Sequence, residues 1–525
     1  METPQKGAMT QGTRLTHQMR KPETMEHMMN DGERILDGLD EAQTMAAKAV
    51  NGPVRIVAGA GAGKTRTITR RIAYACATGV WNPQQSLAVT FSVKAAAQMR
   101  SRLAALGVQQ VHAATFHSAA LRQIRRAWPQ LTDAYFPQVA SDQRPLIVNA
   151  TSRVVGVSDP DPLQIRALQA EINWTKVSLI APEDYPRVCA ATHRLPPMEL
   201  TPERMADVIT AYEQEKSARN QIDFNDILLM TCHVLESFND LADEIRSQTR
   251  WITVDEYQDV SPLQHRLLQL WLGKRNSLCV VGDPAQTIYS FTGATSYYLL
   301  HFAEEFKGAA ADIRLTTDYR STPQIVRYAN RVLAASPQRG DYLSLSSARP
   351  TGRRVMTSVY DSDEAEAQGV ANRIGHMVAR GVNPSDIAVL MRINAQGRLI
   401  RKALAEQRIS SAVRSDMLQN AATVLETGAS AQQVAQIVAG TKESAVTIST
   451  IHAAKGLEFK HVFLIGCTEG LMPFGSPEPG DVLEEERRLF YVGVTRGEDT
   501  VDLSFASSRD GAGYQQRTPS RFLMR

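Results

Sequence analysis

The sequence has few cysteines, no long apolar run and little net charge. Its five cysteines are far apart and show no Cys-x-x-Cys spacing, which argues against a disulfide framework and a cysteine zinc site. No stretch offers the ~20 apolar residues that span a bilayer. The N-terminal segment METPQKGAMTQG lacks the apolar centre of a secretory signal. These absences predict a cytoplasmic protein without a membrane segment.

Composition sets the size class but gives no evidence about partners. Lys and Arg together exceed Asp and Glu by only 3, so any nucleic-acid binding must be argued from local sites. A chain of 525 residues with 43% hydrophobic residues is too long for one core and predicts about three or four domains. Fibrous, collagenous and wholly disordered proteins are excluded.

Apolar runs of strand length alternate with helical patterns in two separate series, which predicts two α/β cores with parallel sheets. The first series lies at 54–58, 87–91, 251–254 and 278–281; the second lies at 355–359, 387–391, 446–450, 462–465 and 501–505. Polar turns and helical patterns between them predict the remaining units. The expected division is a flexible N-terminal tail at 1–38, the first core at 39–110 and 222–316, a helical accessory insertion at 111–221, the second core at 317–407 and 446–525, and a linker at 408–445.

A glycine-rich segment follows the first apolar run and opens a helix. Glycines let backbone N–H groups converge on phosphates, and a helix N-terminus adds partial positive charge. Lys64 supplies a cation for the phosphates, and Thr65 supplies a hydroxyl for Mg²⁺. The strict G-x-x-x-x-G-K-[ST] pattern has glycine where this chain has Ala58. The alternative is a glycine-rich turn with an incidental lysine, but strand, glycines, Lys-Thr and helix together favour a phosphate-binding loop.

Two carboxylates end the apolar run at 251–254. Taken alone, Asp255 and Glu256 are typical of a solvated turn. Together with the phosphate-binding loop they predict a nucleotide hydrolase, in which Asp255 holds Mg²⁺ and Glu256 is the general base for the attacking water.

The surroundings of these carboxylates, VDEYQDV at 254–260, resemble motif II of the UvrD/Rep/PcrA superfamily 1 helicases. Segments that resemble the Q motif and motifs Ia, Ib, III, IV, V and VI follow the family's order between residues 39 and 506. The resemblance implies two RecA-like P-loop NTPase cores, with helices flanking each parallel sheet and a helical accessory insertion in the first core. ATP is expected between the cores.

The resemblance assigns roles at the nucleotide. Gln43 would read adenine, Tyr319 would stack on it, and Gln286 would sense the γ-phosphate. Arg320 and Arg496 would reach that phosphate from the second core. The residues implied as catalytic are Lys64, Asp255, Glu256, Gln286, Arg320 and Arg496, with Thr65 and Asp255 at Mg²⁺. Those implied to bind the nucleotide are Gln43, Ala58, Gly59, Ala60, Gly61, Ala62, Gly63, Lys64, Thr65, Arg66, Tyr319, Arg320, Glu458 and Arg496.

The family's other motifs face DNA, its expected partner as single strands and tailed duplexes. An alanine-rich helix after Thr-Phe is ordinarily part of a core, and only its place between motifs I and II favours a DNA-facing role. The residues implied to bind DNA are Thr90, Phe91, Lys94, Thr115, His117, Tyr289, Phe291, Arg392, Thr450 and His452.

The chain departs from the family at several positions. Thr292 stands where the family usually has arginine, and Asp318 where it has asparagine. Only about 37 residues separate Ile409 from Thr447, where relatives carry the accessory domain called 2B, which is therefore expected to be absent or vestigial. No nuclease or zinc-binding extension is expected after the last strand.

The resemblance implies an ATP-dependent 3′–5′ DNA helicase, of the kind used in DNA repair and replication. One alternative is a DNA-stimulated ATPase that translocates or displaces proteins without unwinding; a more distant one is a P-loop ATPase acting on a target other than nucleic acid.

Overall fold

The structure, a computed structural model, describes residues 32–414, 444–508 and 516–523. Within these ranges the strands form two parallel six-stranded sheets and two short two-stranded pairs. In chain order they are β1 (Val54–Ala58), β2 (Ser86–Thr90), β3 (His112–Thr115), β4 (Gln138–Val139), β5 (Gln221–Ile222), β6 (Trp251–Val254), β7 (Leu278–Gly282), β8 (Ala311–Leu315), β9 (Thr317–Asp318), β10 (Ser346–Ser347), β11 (Met356–Tyr360), β12 (Ile387–Met391), β13 (Ser411–Arg414), β14 (Val446–Thr450), β15 (Phe459–Leu464) and β16 (Gly497–Ala506).

Helices cover the two sheets and form the insertion within the first core. The helices labelled here are, in chain order, α1 (Glu41–Lys48), α2 (Lys64–Ala77), α3 (Val93–Ala105), α4 (Phe116–Leu131), α5 (Arg144–Val155), α6 (Pro162–Val177), α7 (Tyr185–Thr192), α8 (Pro202–Ala218), α9 (Phe224–Ser237), α10 (Asn239–Gln248), α11 (Pro262–Leu272), α12 (Tyr297–Leu300), α13 (Phe302–Glu305), α14 (Pro323–Ala334), α15 (Asp363–Ala379), α16 (Gly397–Glu406) and α17 (Asp481–Val494).

The first sheet has the strand order β3-β2-β6-β7-β1-β8, and all of its pairs are parallel. Every residue of β2 and β7 is buried, as expected for central strands that are covered on both faces. Because the strands are parallel, the loops after β1, β6 and β7 lie at one edge of the sheet, where ligands bind in open α/β sheets.

The second sheet has the order β11-β16-β15-β12-β14-β13, again with parallel pairs only. Its central strand β12 is wholly buried. The prediction of an α/β protein with two parallel sheets flanked by helices, consistent with two RecA-like cores, is therefore confirmed.

The helices α5 to α8 have a hydrophobic core of their own, between the two parts of the first core in sequence. Leu146, Ile172, Tyr185, Met205 and Tyr212 are buried together there. The pair β4–β5 joins the start and the end of this insertion. The helical character that the sequence predicts for this region is thus present in the structure.

Two predicted segments extend beyond the described residues. Of the tail predicted at 1–38, residues 1–31 lie outside the described residues. In the described part, Leu36 is buried, and the Arg70 guanidinium donates a hydrogen bond of 2.7 Å to the Asp37 carbonyl. Of the linker predicted at 408–445, residues 415–443 lie outside the described residues, and β13 precedes them. Within the described ranges, no helix is both long and apolar enough to span a lipid bilayer.

Candidate nucleotide and DNA site

The glycine-rich loop joins β1 to α2 as the sequence predicts. Gly61 and Gly63 have φ of 71° and 78°, the left-handed region that favours glycine. A Cβ at Gly61 would lie 2.0 Å from the Asp318 Oδ1 atom of the second core, so a larger residue would collide with the facing loop. Among the described residues, no side chain caps α2. Its first-turn N–H groups and helix dipole therefore suit an anion.

The two carboxylates follow β6 at the same edge of the sheet. The Lys64 Nζ atom lies 3.7 Å from Glu256 Oε2, and the Gln258 amide donates a hydrogen bond of 2.7 Å to that oxygen. Glu256 has φ 50° and ψ 42°, a left-handed conformation that costs a non-glycine residue of order 1–3 kcal/mol and that clusters at functional sites. The loop and the carboxylates thus meet at one edge of the sheet.

The pKa values of Asp255 and Glu256 are shifted in opposite directions. Burial, and then the charge of Glu256, raise the pKa of Asp255 to about 7. Burial alone would also raise the pKa of Glu256, but Lys64 and Lys455 outweigh it, and the pKa falls below its usual range. Asp255 is buried, whereas the Glu256 side chain is partly exposed. Carboxylate oxygens and the hydroxyl of Thr65 are the kinds of donor that Mg²⁺ prefers.

Two arginines of the second core are predicted to reach the γ-phosphate, and one of them, Arg320, lies at this loop. The Cβ of Arg320 is 3.0 Å from the position of a Cβ on Gly61, and its guanidinium forms an ion pair of 2.6 Å with Glu458. Arg496 is buried and donates hydrogen bonds to the carbonyls of Val492 and Leu457. Burial lowers its pKa to about 10, so the guanidinium remains charged at neutral pH. Its charge adds to those of Lys64 and Lys455 in lowering the pKa of Glu256.

The predicted adenine-binding residues border the loop. The Gln43 amide donates a hydrogen bond of 3.0 Å to the Ala62 carbonyl. The backbone N–H of Tyr319 donates one of 3.0 Å to the Gly61 carbonyl, while 45% of Tyr319 remains exposed. Arg66 binds the Gly38 carbonyl at 2.8 Å. An exposed aromatic face therefore lies beside the phosphate-binding loop.

Gln286 follows β7 and is held in place by its neighbours. Its amide donates a hydrogen bond of 2.7 Å to Asp283 Oδ2. Its backbone carbonyl accepts one of 2.6 Å from Lys455 Nζ, which also lies 2.5 Å from Asp259 Oδ2. Neither Lys455 nor Asp259 is among the site residues predicted from the sequence. The signal that could have identified them is their place within the segments that resemble motifs V and II.

Three of the residues predicted to face DNA form an aromatic cluster, here defined as Tyr289, Phe291 and His452. Their ring centroids are 5.9–6.1 Å apart, and 61% of Phe291 is exposed. The Tyr289 hydroxyl donates a hydrogen bond of 2.9 Å to the His452 carbonyl. Burial lowers the pKa of His452 to about 4, so its ring is neutral at physiological pH. The cluster joins both cores and offers a face for base stacking.

Three predicted hydroxyl residues are engaged with the backbone. Thr115 caps α4, Thr450 accepts from the N–H of Ala453, and the Thr90 hydroxyl donates to the Ser92 carbonyl. These contacts fix the backbone at the ends of β2, β3 and β14.

The other predicted DNA contacts are dispersed. His117 stacks on Phe224 at 3.8 Å, and burial lowers its pKa to about 3. Phe91 and Arg392 pack against protein groups as well, Phe91 edge-on to Phe116 at 6.2 Å and Arg392 in an ion pair of 2.7 Å with Glu486. Burial, and then the charge of Arg414 in the second core, lower the pKa of Lys94.

Comparisons with known proteins match most of the chain to one family. Residues 39–307 match the family described as UvrD/REP helicase N-terminal domain, and residues 313–419 and 422–508 match the UvrD-like helicase C-terminal domain. The chain is 38% identical to the ATP-dependent DNA helicase UvrD2 of Mycobacterium tuberculosis, over 93% of this chain and 81% of the relative. It is 25% identical to the ATP-dependent DNA helicase PcrA of Bacillus subtilis, over 93% and 86%, respectively.

Proposed function

Because the chain belongs to the UvrD/REP helicase family, we propose that it is an ATP-dependent helicase that moves 3′ to 5′ on single-stranded DNA and separates duplex strands. The observation that carries the proposal is a divided nucleotide site. The first core contributes Lys64 and Glu256. The second contributes Arg320 at the same loop and the charge of Arg496, which helps to lower the pKa of Glu256. Hydrolysis at such a site responds to how the two cores are arranged.

The nucleotide chemistry follows from these positions. Lys64 and the N-terminus of α2 would bind the β- and γ-phosphates. Thr65 and Asp255 would hold Mg²⁺, which neutralises phosphate charge when bound. Glu256, whose pKa is low enough to keep it ionised, accepts the proton of the attacking water. Arg496 and Arg320 stabilise the charge that spreads over the transferring phosphoryl oxygens.

Movement along DNA would use the aromatic cluster. Its members come from both cores, Tyr289 and Phe291 from the first and His452 from the second. Opening and closing of the nucleotide cleft would therefore change the distance between groups that contact the same strand. If the two cores grip the strand in alternation, each hydrolysis cycle becomes one step.

A second candidate is a DNA-stimulated ATPase that translocates or displaces proteins without unwinding. Two observations favour it: only about 37 residues between Ile409 and Thr447, where relatives carry domain 2B, and Thr292 in place of the usual arginine. Both reduce the groups available for holding duplex DNA and for coupling it to the nucleotide.

One experiment separates these functions. Strand release and ATP turnover are measured together on 3′-tailed, 5′-tailed and blunt duplexes, with Lys64→Ala as the inactive control. Release from the 3′-tailed duplex alone, dependent on ATP, supports the helicase. Turnover stimulated by single-stranded DNA without release supports the translocase. A rate of turnover that single-stranded DNA leaves unchanged refutes both and favours a target other than nucleic acid.

A further inference from the structure

One carboxylate of the second core packs directly against the phosphate-binding loop. A Cβ on Gly61 would lie 2.0 Å from Asp318 Oδ1 and 2.6 Å from Asp318 Cγ. The backbone N–H of Tyr319 donates a hydrogen bond of 3.0 Å to the Gly61 carbonyl, which holds the two segments together. Asp318 is fully buried. A carboxyl group thus lies in contact with the loop that is proposed to bind the phosphates.

The hydrogen bonds of this carboxylate involve only one of its oxygens. Asp318 Oδ1 accepts hydrogen bonds from the backbone N–H groups of Arg320 at 2.6 Å and Ser321 at 3.0 Å. Oδ2 has no hydrogen-bond partner in the part of the chain that the structure describes. Aspartate and asparagine form such turns alike, because each offers a side-chain oxygen to N–H groups further along the chain. The turn that carries Arg320 therefore requires the oxygen and not the negative charge.

The charge of Asp318 is only partly compensated by its surroundings. The Arg320 guanidinium forms its ion pair of 2.6 Å with Glu458, and its Nε atom also lacks a hydrogen-bond partner within the described ranges. Burial raises the pKa of Asp318; the N–H groups of Ser321 and Arg320 and the charge of Arg320 oppose this shift without cancelling it. An ionised Asp318 is thus a surplus negative charge, and another negative group nearby is unfavourable.

The phosphates of a bound nucleotide are such a negative group. Lys64 and the N-terminus of α2 would attract them to the loop, whereas a carboxylate in contact with Gly61 repels them. From this arrangement we infer that Asp318 weakens the binding of nucleotide phosphates by the loop and thereby favours release of the product ADP. The inference rests on the proposed ATP hydrolysis at this site. The family usually has asparagine at this position, so this charge is a feature of the present chain.

The test removes the charge and keeps the turn. The variant is Asp318→Asn; the matched control is Asp161→Asn at the start of α6, where Asp161 Oδ1 likewise accepts from the backbone N–H groups two and three residues further on, at 2.7 Å and 2.9 Å. Binding of adenosine, ADP and a non-hydrolysable ATP analogue is measured at about pH 8, where a carboxyl group is ionised even with a raised pKa. KM for ATP, the single-turnover rate, the ADP dissociation rate and Tm are measured as well.

Asp318→Asn should bind ADP and the ATP analogue about tenfold more tightly, because a unit charge in a cleft of intermediate dielectric acts strongly on phosphates in the same cleft. ADP should dissociate more slowly by a similar factor, and KM for ATP should fall. The gain should be at least as large for the ATP analogue as for ADP, whereas adenosine, which has no phosphate, should bind both proteins equally. The single-turnover rate should stay close to that of the wild type, since Arg320 keeps its turn. Asp161→Asn should match the wild type in every nucleotide measurement.

The inference is overturned if Asp318→Asn binds ADP and the ATP analogue no more tightly than the wild type does. It is equally overturned if the affinity for adenosine rises by the same factor, since that marks a change in the shape of the pocket rather than the loss of a charge. A wild type that neither binds nor hydrolyses ATP removes the proposed function itself, which is a distinguishable result. Should Asp318→Asn lose its folding transition, Asp318→Ser carries the same prediction, because a serine hydroxyl also accepts from N–H groups in such a turn.

Discussion

Two groups of buried charges in this molecule are built differently. In the first, between the helical insertion and α9, Lys176 and Lys216 face Glu213, Asp223 and Asp226. Lys176 lies 2.5–2.8 Å from all three carboxylates, and Lys216 contacts the same three. Each carboxylate therefore has two ammonium neighbours, and these occupy the space that a bound cation would need. We define this group as the insertion cluster.

In the nucleotide cleft, by contrast, several buried polar atoms have no hydrogen-bond partner among the described residues. They are Asp259 Oδ1, Asp318 Oδ2 and Arg320 Nε. The backbone of Glu256 is strained as well. Since unsatisfied buried polar groups cost free energy, a cleft that retains them is suited to a ligand that satisfies them. In the insertion cluster every carboxylate has two cationic neighbours, which supports the fold; in the cleft, groups that are ion-paired or capped at one atom keep another atom without a partner.

The sharpest way to break this comparison is to change Arg496 to lysine. Lysine keeps the charge but lacks the planar fork, and loss of an arginine finger costs about 10³- to 10⁵-fold in rate. We expect kcat for ATP to fall by that order while nucleotide binding persists. Single-turnover rates and nucleotide titration measure the two effects. The exposed Arg401→Lys is the matched control; a fall of less than about tenfold for Arg496→Lys would contradict the assignment.

Glu256→Gln tests the proposed base, and a smaller effect is expected. Removing a general base costs about 10²- to 10⁴-fold, so turnover should be almost abolished. Nucleotide binding should be spared, because glutamine keeps the shape of the side chain. The surface variant Glu244→Gln, from an exposed ion pair with Arg126, serves as control. Turnover that survives in Glu256→Gln would show that another group activates the water.

The sequence predicts the cleft better than the contacts across it. The phosphate-binding loop and the carboxylates are local patterns next to strands, so spacing alone places Lys64 and Glu256 at one sheet edge. The ion pair of Lys455 with Asp259 joins residues 196 positions apart on different cores. No local periodicity encodes such a contact, because it depends on how the two sheets face each other.

The same physical reason limits the predicted DNA contacts. A motif places His117 and Arg392 near the end of a strand, but the side chain's partner is decided by packing. His117 stacks on Phe224, and Arg392 pairs with Glu486. The domain boundaries and the assigned roles of the site residues stay predictions, while the α/β class and the family are confirmed.

The insertion cluster should respond in stability rather than in chemistry. Asp223→Asn removes one carboxylate that two lysines share, and breaking a buried ion pair typically costs about 3–5 kcal/mol. Chemical denaturation should show a loss of that order, with ATP turnover per folded molecule nearly unchanged. The surface variant Asp386→Asn should lose at most about 1 kcal/mol. Equal losses in the two variants would erase the distinction between the groups.

The free energy of unfolding should depend on pH through the carboxylate of Asp223. Burial alone would raise the pKa of Asp223, but Lys176 and Lys216 outweigh it and hold the pKa below its usual range. The stability it contributes is therefore present above the unfolded value of about 3.9 and is lost as the pH falls below it. Asp223→Asn should flatten this acid limb of the stability profile. An unchanged limb would mean that other carboxylates carry the dependence.

The smallest effect is expected at His452, whose contribution to DNA affinity should not change with pH. Burial lowers the pKa of His452 to about 4, so between about pH 6 and about pH 8 the ring stays neutral, whereas an unperturbed histidine would titrate there. DNA affinities of the wild type and of His452→Gln should therefore differ by the same factor at both pH values. The slope of affinity against salt concentration should also be the same for both proteins, because a neutral ring neutralises no phosphate charge. A difference between the two proteins that grows on acidification would show that His452 binds DNA as a cation, and would place the aromatic cluster with the charged contacts rather than with the stacking ones.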